Sequence, residues 1–145
     1  MLSKKAKYAL KALRYLGERY QNTNPSLISE IAENEQIPKK FLEAILVLLK
    51  NNSILRSIKG KGGGYMLRLP PEEITFAKVL RIIDGPIAPV LCVSLNFYGK
   101  CDDCGEEVDC TLRNVMTKVR DANLEVYNKT TIAHLMTNKS IGDSK

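Results

Sequence analysis

Four cysteines fall within nineteen residues, in the spacing Cys92-x8-Cys101-x2-Cys104-x5-Cys110, and the chain has no others. Thiolates are soft ligands, and a Cys-x2-Cys step suits two ligands to one iron or one zinc. In a cytoplasmic chain, such clustering favours a metal or an iron–sulfur cluster over structural disulfides. The interval 101–110, CDDCGEEVDC, holds five acids and no base, a setting that raises thiol pKa values and gives no support to reactive free thiolates. Iron–sulfur is the leading expectation from the pattern. Zinc, a metal-free thiol switch and no special role stay open. An all-cysteine zinc site usually has two close pairs, whereas Cys92 and Cys110 stand apart.

A second group of residues suggests binding. Lys59-Gly60-Lys61-Gly62-Gly63-Gly64 combines two cations with glycines that let a backbone approach phosphate closely. It matches neither the phosphate-loop pattern G-x-x-x-x-G-K-[ST] nor a G-x-G-x-x-G that follows a strand and opens a helix. A single histidine, His134, rules out a multi-histidine metal site or a histidine-based catalytic network within one chain. No nucleophile–base arrangement can be named, so no enzyme and no small-molecule substrate are expected, and no catalytic residue is assigned.

The elements that must position these groups follow from periodicity. Residues 4–20 place Ala6, Leu10, Leu13 and Leu16 at helical spacing. A polar loop follows, with Ser26 expected to cap a short helix through about Asn34. After a turn at 35–37, Pro38 opens a third helix to about Lys50, whose apolar face combines Leu42, Ile45, Leu46 and Leu49 with Phe41 and Leu48. Residues 54–58 and 65–69 read as strands joined by the glycine-rich turn. A fourth helix is expected over about 72–84. Residues 85–109 read as a long irregular segment, which suggests function or disorder. Helical spacing returns from about Thr111 to 128, with a short capped turn near 132–136 and a tail over 137–145.

Three short helices followed by a basic hairpin form the layout of a winged helix-turn-helix, mainly α with a small β-hairpin wing. Lys39, Lys40 and Glu43 give the third helix a polar N-terminal face for a major groove. Lys39 and Lys40 would meet phosphate or a base edge, and Glu43 could accept from a cytosine amine. Lys59 and Lys61 would serve as wing contacts, and Lys4, Lys5 and Lys7 as backbone contacts. The plain alternative is a small helical domain with an incidental turn. Leu112, Val115/Met116, Val119, Ala122 and Val126 form a stripe on the last long helix, suited either to a two-fold partner or to packing within one chain. The expected division is 1–84 for the winged domain and its connecting helix, 85–110 for the cysteine loop, 111–136 for the dimerisation helix and short terminal helix, and 137–145 for the tail.

Charge agrees with this division. Residues 1–70 carry 13 Lys+Arg against 5 Asp+Glu, and residues 71–145 carry 9 against 11. A polyanion partner is therefore expected for the first half only. With 44% hydrophobic and 26% charged residues, the composition is that of a folded domain and not a disordered chain. No stretch reaches the roughly 18 apolar residues of a membrane span, and no apolar segment follows Lys4, Lys5 and Lys7 as a signal peptide requires. Cytoplasmic residence is expected.

These residues resemble the Rrf2 family of bacterial transcription regulators. The matching stretches are LSKKAKYALKAL, ISEIAENEQIPKKFLEAILVLLKNNSILRSIKGKGGGYML and ITFAKVLRIIDGP, and the likeness extends over about residues 2–136. The string from Lys59 to Tyr65 is its most specific part. The resemblance implies homodimers that bind double-stranded DNA, crossed through a long helix, many with an iron–sulfur cluster near its start. Some relatives lack the cluster and respond through a partner protein. The resemblance places Cys92, Cys104 and Cys110 at three ligand positions. Arg113 stands where some members have a histidine ligand, and Lys7 where others use an aspartate, so Cys101 is the candidate fourth ligand of an all-cysteine [2Fe-2S] or [4Fe-4S] site. It also likens Glu43 and Lys59 to the family's recognition-helix and wing contacts. A repressor is expected.

Overall fold

A computed structural model describes residues 2–22 and 24–136; the expected tail at 137–145 lies outside them. Helix α1 (Lys4–Glu18) starts where the Ser3 hydroxyl accepts from the Ala6 amide at 2.9 Å. Its alanines and leucines bury against α2 (Ile28–Glu35) and α3 (Lys39–Asn51). Leu13, Ile31, Leu42, Ile45, Leu46 and Leu49 are fully buried, each stabilising the fold by about 1.5–3 kcal/mol. Phe41, expected on this face, is exposed instead and packs edge-on against Tyr8, with ring centroids 6.1 Å apart.

An ion pair fixes the turn between α2 and α3. Glu35 is only 8% exposed, and both its carboxylate oxygens accept from Arg14 Nη2, at 3.0 and 2.7 Å. Lys11 Nζ donates to the Glu35 carbonyl at 2.6 Å. These bonds tie the end of α2 to α1, so the following helix leaves in a defined direction.

Ser26 does not cap α2. Leu27 takes the capping position, with its amide donating to Glu30 Oε2 at 3.3 Å. Ser26 is buried and bridges Tyr65 through paired backbone bonds of 2.9 and 2.8 Å, extending the hairpin's hydrogen bonding towards α2. The hairpin itself is β1 (Leu55–Ile58) antiparallel to β2 (Gly64–Leu67), with Leu55 opposite Leu67 and Ile58 opposite Gly64. Leu55 and Leu67 face the core.

Helix α4 (Phe76–Ile83) begins later than periodicity suggests. Residues Pro71–Glu73 form a 3-10 turn, and the Thr75 hydroxyl then caps the helix, accepting from the Lys78 amide at 3.2 Å. Ahead of the helix, the Ile74 carbonyl accepts from the Ile132 amide, and the Phe76 amide donates to the Thr130 carbonyl. The segment after α5 (Thr111–Lys129) is thereby stitched to the start of α4. It ends in the 3-10 turn Ile132–Leu135, which places fully buried Ile132 in the main core. Gly17 permits this closure: a β-carbon there would lie 3.2 Å from Met136 Sδ and 3.3 Å from Ile132 Cγ2.

Candidate nucleic-acid interface and cysteine loop

Helix α3 and the hairpin enclose an open groove of about 510 Å³. Lys39, Glu43 and Lys50 line it from α3, Ser29 from α2, and Ser57 and Lys59 from the hairpin side. Three of the residues singled out in the sequence, Lys39, Glu43 and Lys59, are thus brought together across distant parts of the chain. Glu43 also borders a second shallow groove with Lys5. Lys40 and Lys61 are exposed but line neither groove, and the same holds for Lys4 and Lys7 on α1. Sequence reading missed Ser29 and Lys50. Lys50 carried a signal, because it follows Glu43 by seven residues and so falls on the same face of α3.

The groove's cations are available for a polyanion. Among the described residues, the ion pairs at Arg14–Glu35, Arg113–Glu107, Arg120–Asp121 and Lys129–Glu125 use none of these lysines.

Glycine is required at the hairpin by close approach. A β-carbon at Gly63 would stand 2.1 Å from the Ile58 carbonyl oxygen, and one at Gly64 would stand 2.3 Å from the Ser26 carbonyl oxygen. Both obstacles are backbone atoms held in hydrogen-bonded structure, so neither can swing aside.

The cysteine loop has two short 3-10 turns, Leu91–Val93 and Glu107–Asp109. Cys92 is buried in the first. Cys101 is exposed, and Cys104 and Cys110 are half-buried. All four are free thiols. The Cys104 amide donates to the Cys101 carbonyl at 3.3 Å, and Cys110 Sγ caps α5, accepting from the Arg113 amide at 3.4 Å. The Cys104 thiol is pushed above its ordinary pKa by desolvation first, then by its hydrogen bond to Cys110 and by the negative charge of the neighbouring thiolates. The sequence reading assigned such a rise to the acids of the loop; the sulfurs and burial produce it instead.

Four soft donors suit an iron–sulfur cluster or zinc in their chemistry. In this conformation no group of three or more Cys, His, Asp or Glu among the described residues gathers closely enough to hold a metal ion. Arg113, at the expected histidine position, faces Glu107 at 4.0 Å, and Glu107 also accepts from the Tyr98 hydroxyl.

Helix α5 has two distinct faces. Arg113, Thr117, Arg120, Leu124 and Tyr127 turn inward; Tyr127 stacks on Phe76, with ring centroids 6.5 Å apart. Leu112, Val115, Val119, Ala122 and Val126 are exposed and form a continuous apolar stripe.

Comparison with known proteins gives a consistent picture. The family model described as "Rrf2: Iron-dependent Transcriptional regulator" matches residues 2–138. An HTH-type transcriptional regulator of Rhodobacter capsulatus, described as rrf2-like, is 38% identical over 94% of this chain and 92% of its own length. The HTH-type transcriptional regulator IscR of Pectobacterium carotovorum subsp. carotovorum is 25% identical over 98% of this chain and 82% of its own. The solved structure of CymR, described as the global cysteine regulator of Bacillus subtilis, superposes with a TM-score of 0.75 at 29% identity, covering 93% of this chain and 95% of that one.

Proposed function

Since the chain belongs to the Rrf2 family of transcriptional regulators, we propose that it is a homodimeric repressor that binds double-stranded DNA and takes its signal from an iron–sulfur cluster at its cysteine loop. The observation that carries the DNA reading is the groove between α3 and the hairpin, which gathers Lys39, Glu43, Lys50 and Lys59 around one concave surface. In this reading Lys39 and Lys59 neutralise phosphates, and Lys40, Lys61 and the α1 lysines Lys4, Lys5 and Lys7 add backbone contacts. Glu43 accepts from a base amine. Work on DNA puts the protein in the cytoplasm; no described helix is long and apolar enough to cross a membrane.

The exposed stripe on α5 supports a two-fold partner. Two subunits present two α3 helices to half-sites separated by about 34 Å or a multiple of it.

Cys92, Cys101, Cys104 and Cys110 would hold the cluster, [2Fe-2S] or [4Fe-4S]. Bound there, the cluster would supply redox-labile chemistry. Cys110 is also the N-cap of α5, so this sulfur would link the site to the helix that carries the apolar stripe. The donor chemistry and the family's iron dependence support this reading.

Two experiments test it. Anaerobically isolated protein is expected to be brown, with visible absorption, bound sulfide and an iron Mössbauer signature, and Cys101→Ser is expected to lose or alter that signature. Colourless protein with stoichiometric zinc would replace the cluster with a structural metal. For DNA, footprinting across a salt series is expected to show relaxed sequence preference in Glu43→Ala. Lys59→Ala is expected to weaken binding on all sequences and reduce the salt slope by about 1. Unchanged selectivity or unchanged slope, respectively, overturns each assignment.

A further inference from the structure

We propose that Arg120 is a positioning residue that fixes the buried Cys92 thiol and ties the start of the cysteine loop to α5; this rests on the regulatory reading above and names how that site is held. Arg120 Nη1 donates to the Val93 carbonyl at 2.7 Å, spanning 27 residues of sequence. Its Nε and Nη2 both donate to Asp121 Oδ1, at 2.9 and 2.7 Å. The guanidinium is therefore oriented from behind by Asp121, and its remaining arm points at the residue that follows Cys92. A planar fork with fixed donors suits this task, because it holds two acceptors in one geometry with little further ordering.

The burial pattern agrees. The Arg120 side chain is 15% exposed, Val93 is 1% exposed and Cys92 is 9% exposed. Of the four cysteines, Cys92 alone is buried, and it is the one next to this contact. Arg120 lies on the inward face of α5, whereas Val119 beside it belongs to the outward stripe. A displacement of the loop at Cys92 therefore pulls on the helix that presents the dimer surface. Neither Arg120 nor its contact is visible in the cysteine spacing.

The test uses the metal-free, reduced, full-length protein, alkylated with iodoacetamide and quantified separately at each cysteine by mass spectrometry. In the unsubstituted protein Cys92 is expected to react at least about tenfold more slowly than Cys101, as a buried thiol that needs local opening. Arg120→Ala is expected to bring Cys92 close to the Cys101 rate, with amide exchange in α1 unchanged. Arg120→Lys keeps one cationic donor for the Val93 carbonyl but loses the fork that Asp121 orients, and is expected to restore only part of the protection. An unchanged Cys92 rate in Arg120→Ala overturns the proposal. So does a simultaneous rise at all four cysteines and in α1 exchange, which would make Arg120 a support of the whole fold. Absence of DNA binding by the unsubstituted protein would bring down the regulatory reading but leave the alkylation result standing.

Discussion

Gly64→Ala is expected to abolish high-affinity DNA binding while leaving the helical core folded. The added methyl carbon would sit 2.3 Å from the Ser26 carbonyl oxygen and 2.6 Å from the Ser26 carbonyl carbon, and the Gly64 φ of +153° already disfavours a side chain. The obstacle is not a movable side chain. Ser26 is locked to Tyr65 by two backbone hydrogen bonds, and it leads directly into α2. Relief requires the β2 strand to part from Ser26, at a cost of about 1–3 kcal/mol by analogy with overpacking. Once that bridge opens, Lys59 is no longer held at the edge of the groove, and the exposed Lys61 two residues on loses the same support. Losing two phosphate contacts should lower the slope of log affinity against log salt by about 2. Circular dichroism should report retained helix, and a gel-shift titration over salt should report the loss. A Gly64→Ala protein with the original affinity and slope would show that the hairpin does not contact DNA.

If the proposed α5 dimer forms, Val119→Glu is expected to convert it to a monomer and cut affinity for a two-half-site operator by about 100-fold, or about 2.8 kcal/mol. Val119 sits midway along the apolar stripe. Leu112 is 61% exposed, Val115 53%, Val119 38% and Val126 58%, whereas Leu124 on the opposite face is 8% exposed. A contiguous apolar surface of this kind marks an interaction face. In an isologous interface each substitution appears twice, so two carboxylates enter the same apolar seam, and such like-charge juxtaposition costs several kcal/mol. Light scattering after size exclusion should show the change in mass directly. A Val119→Glu protein that remains dimeric at micromolar concentration would move the two-fold contact elsewhere on the chain. Leu124 offers the contrast: it is 8% exposed on the inward face, so a charge there should unfold α5 from its own subunit instead.

The helix-turn-helix is legible in the sequence because periodicity is a local signal. Leu42, Ile45, Leu46 and Leu49 specify the buried face of α3 from spacing alone. The hairpin is legible because glycine and lysine have few competing uses at such density. Ser26 departs from its expected role for a physical reason. A serine ahead of a helical run has a strong local preference for capping, but here its backbone gains two hydrogen bonds to a strand 39 residues away. The start of α4 departs in the same manner, since Pro71–Glu73 close into a 3-10 turn and the bridge between Thr75 and Thr131 accompanies extended backbone at Ile74 and Thr75. The α5 stripe lies on one face as its spacing indicates, yet that periodicity carries no sign that Arg113, Arg120 and Tyr127 form a second face directed at the subunit's own loop and core.

The amino-acid sequence by itself determined the order and type of the elements, the basic first half, the glycine-dependent hairpin and the grouping of four thiols. Each of these is written in neighbouring residues, through spacing, charge or steric permission. Only the tertiary structure decided which lysines share a groove with Glu43, that Cys92 is buried while Cys101 is exposed, and that Arg120 reaches the Val93 carbonyl. Those outcomes depend on how rigid helices pack, and packing brings together groups whose separation along the chain carries no information about their separation in space.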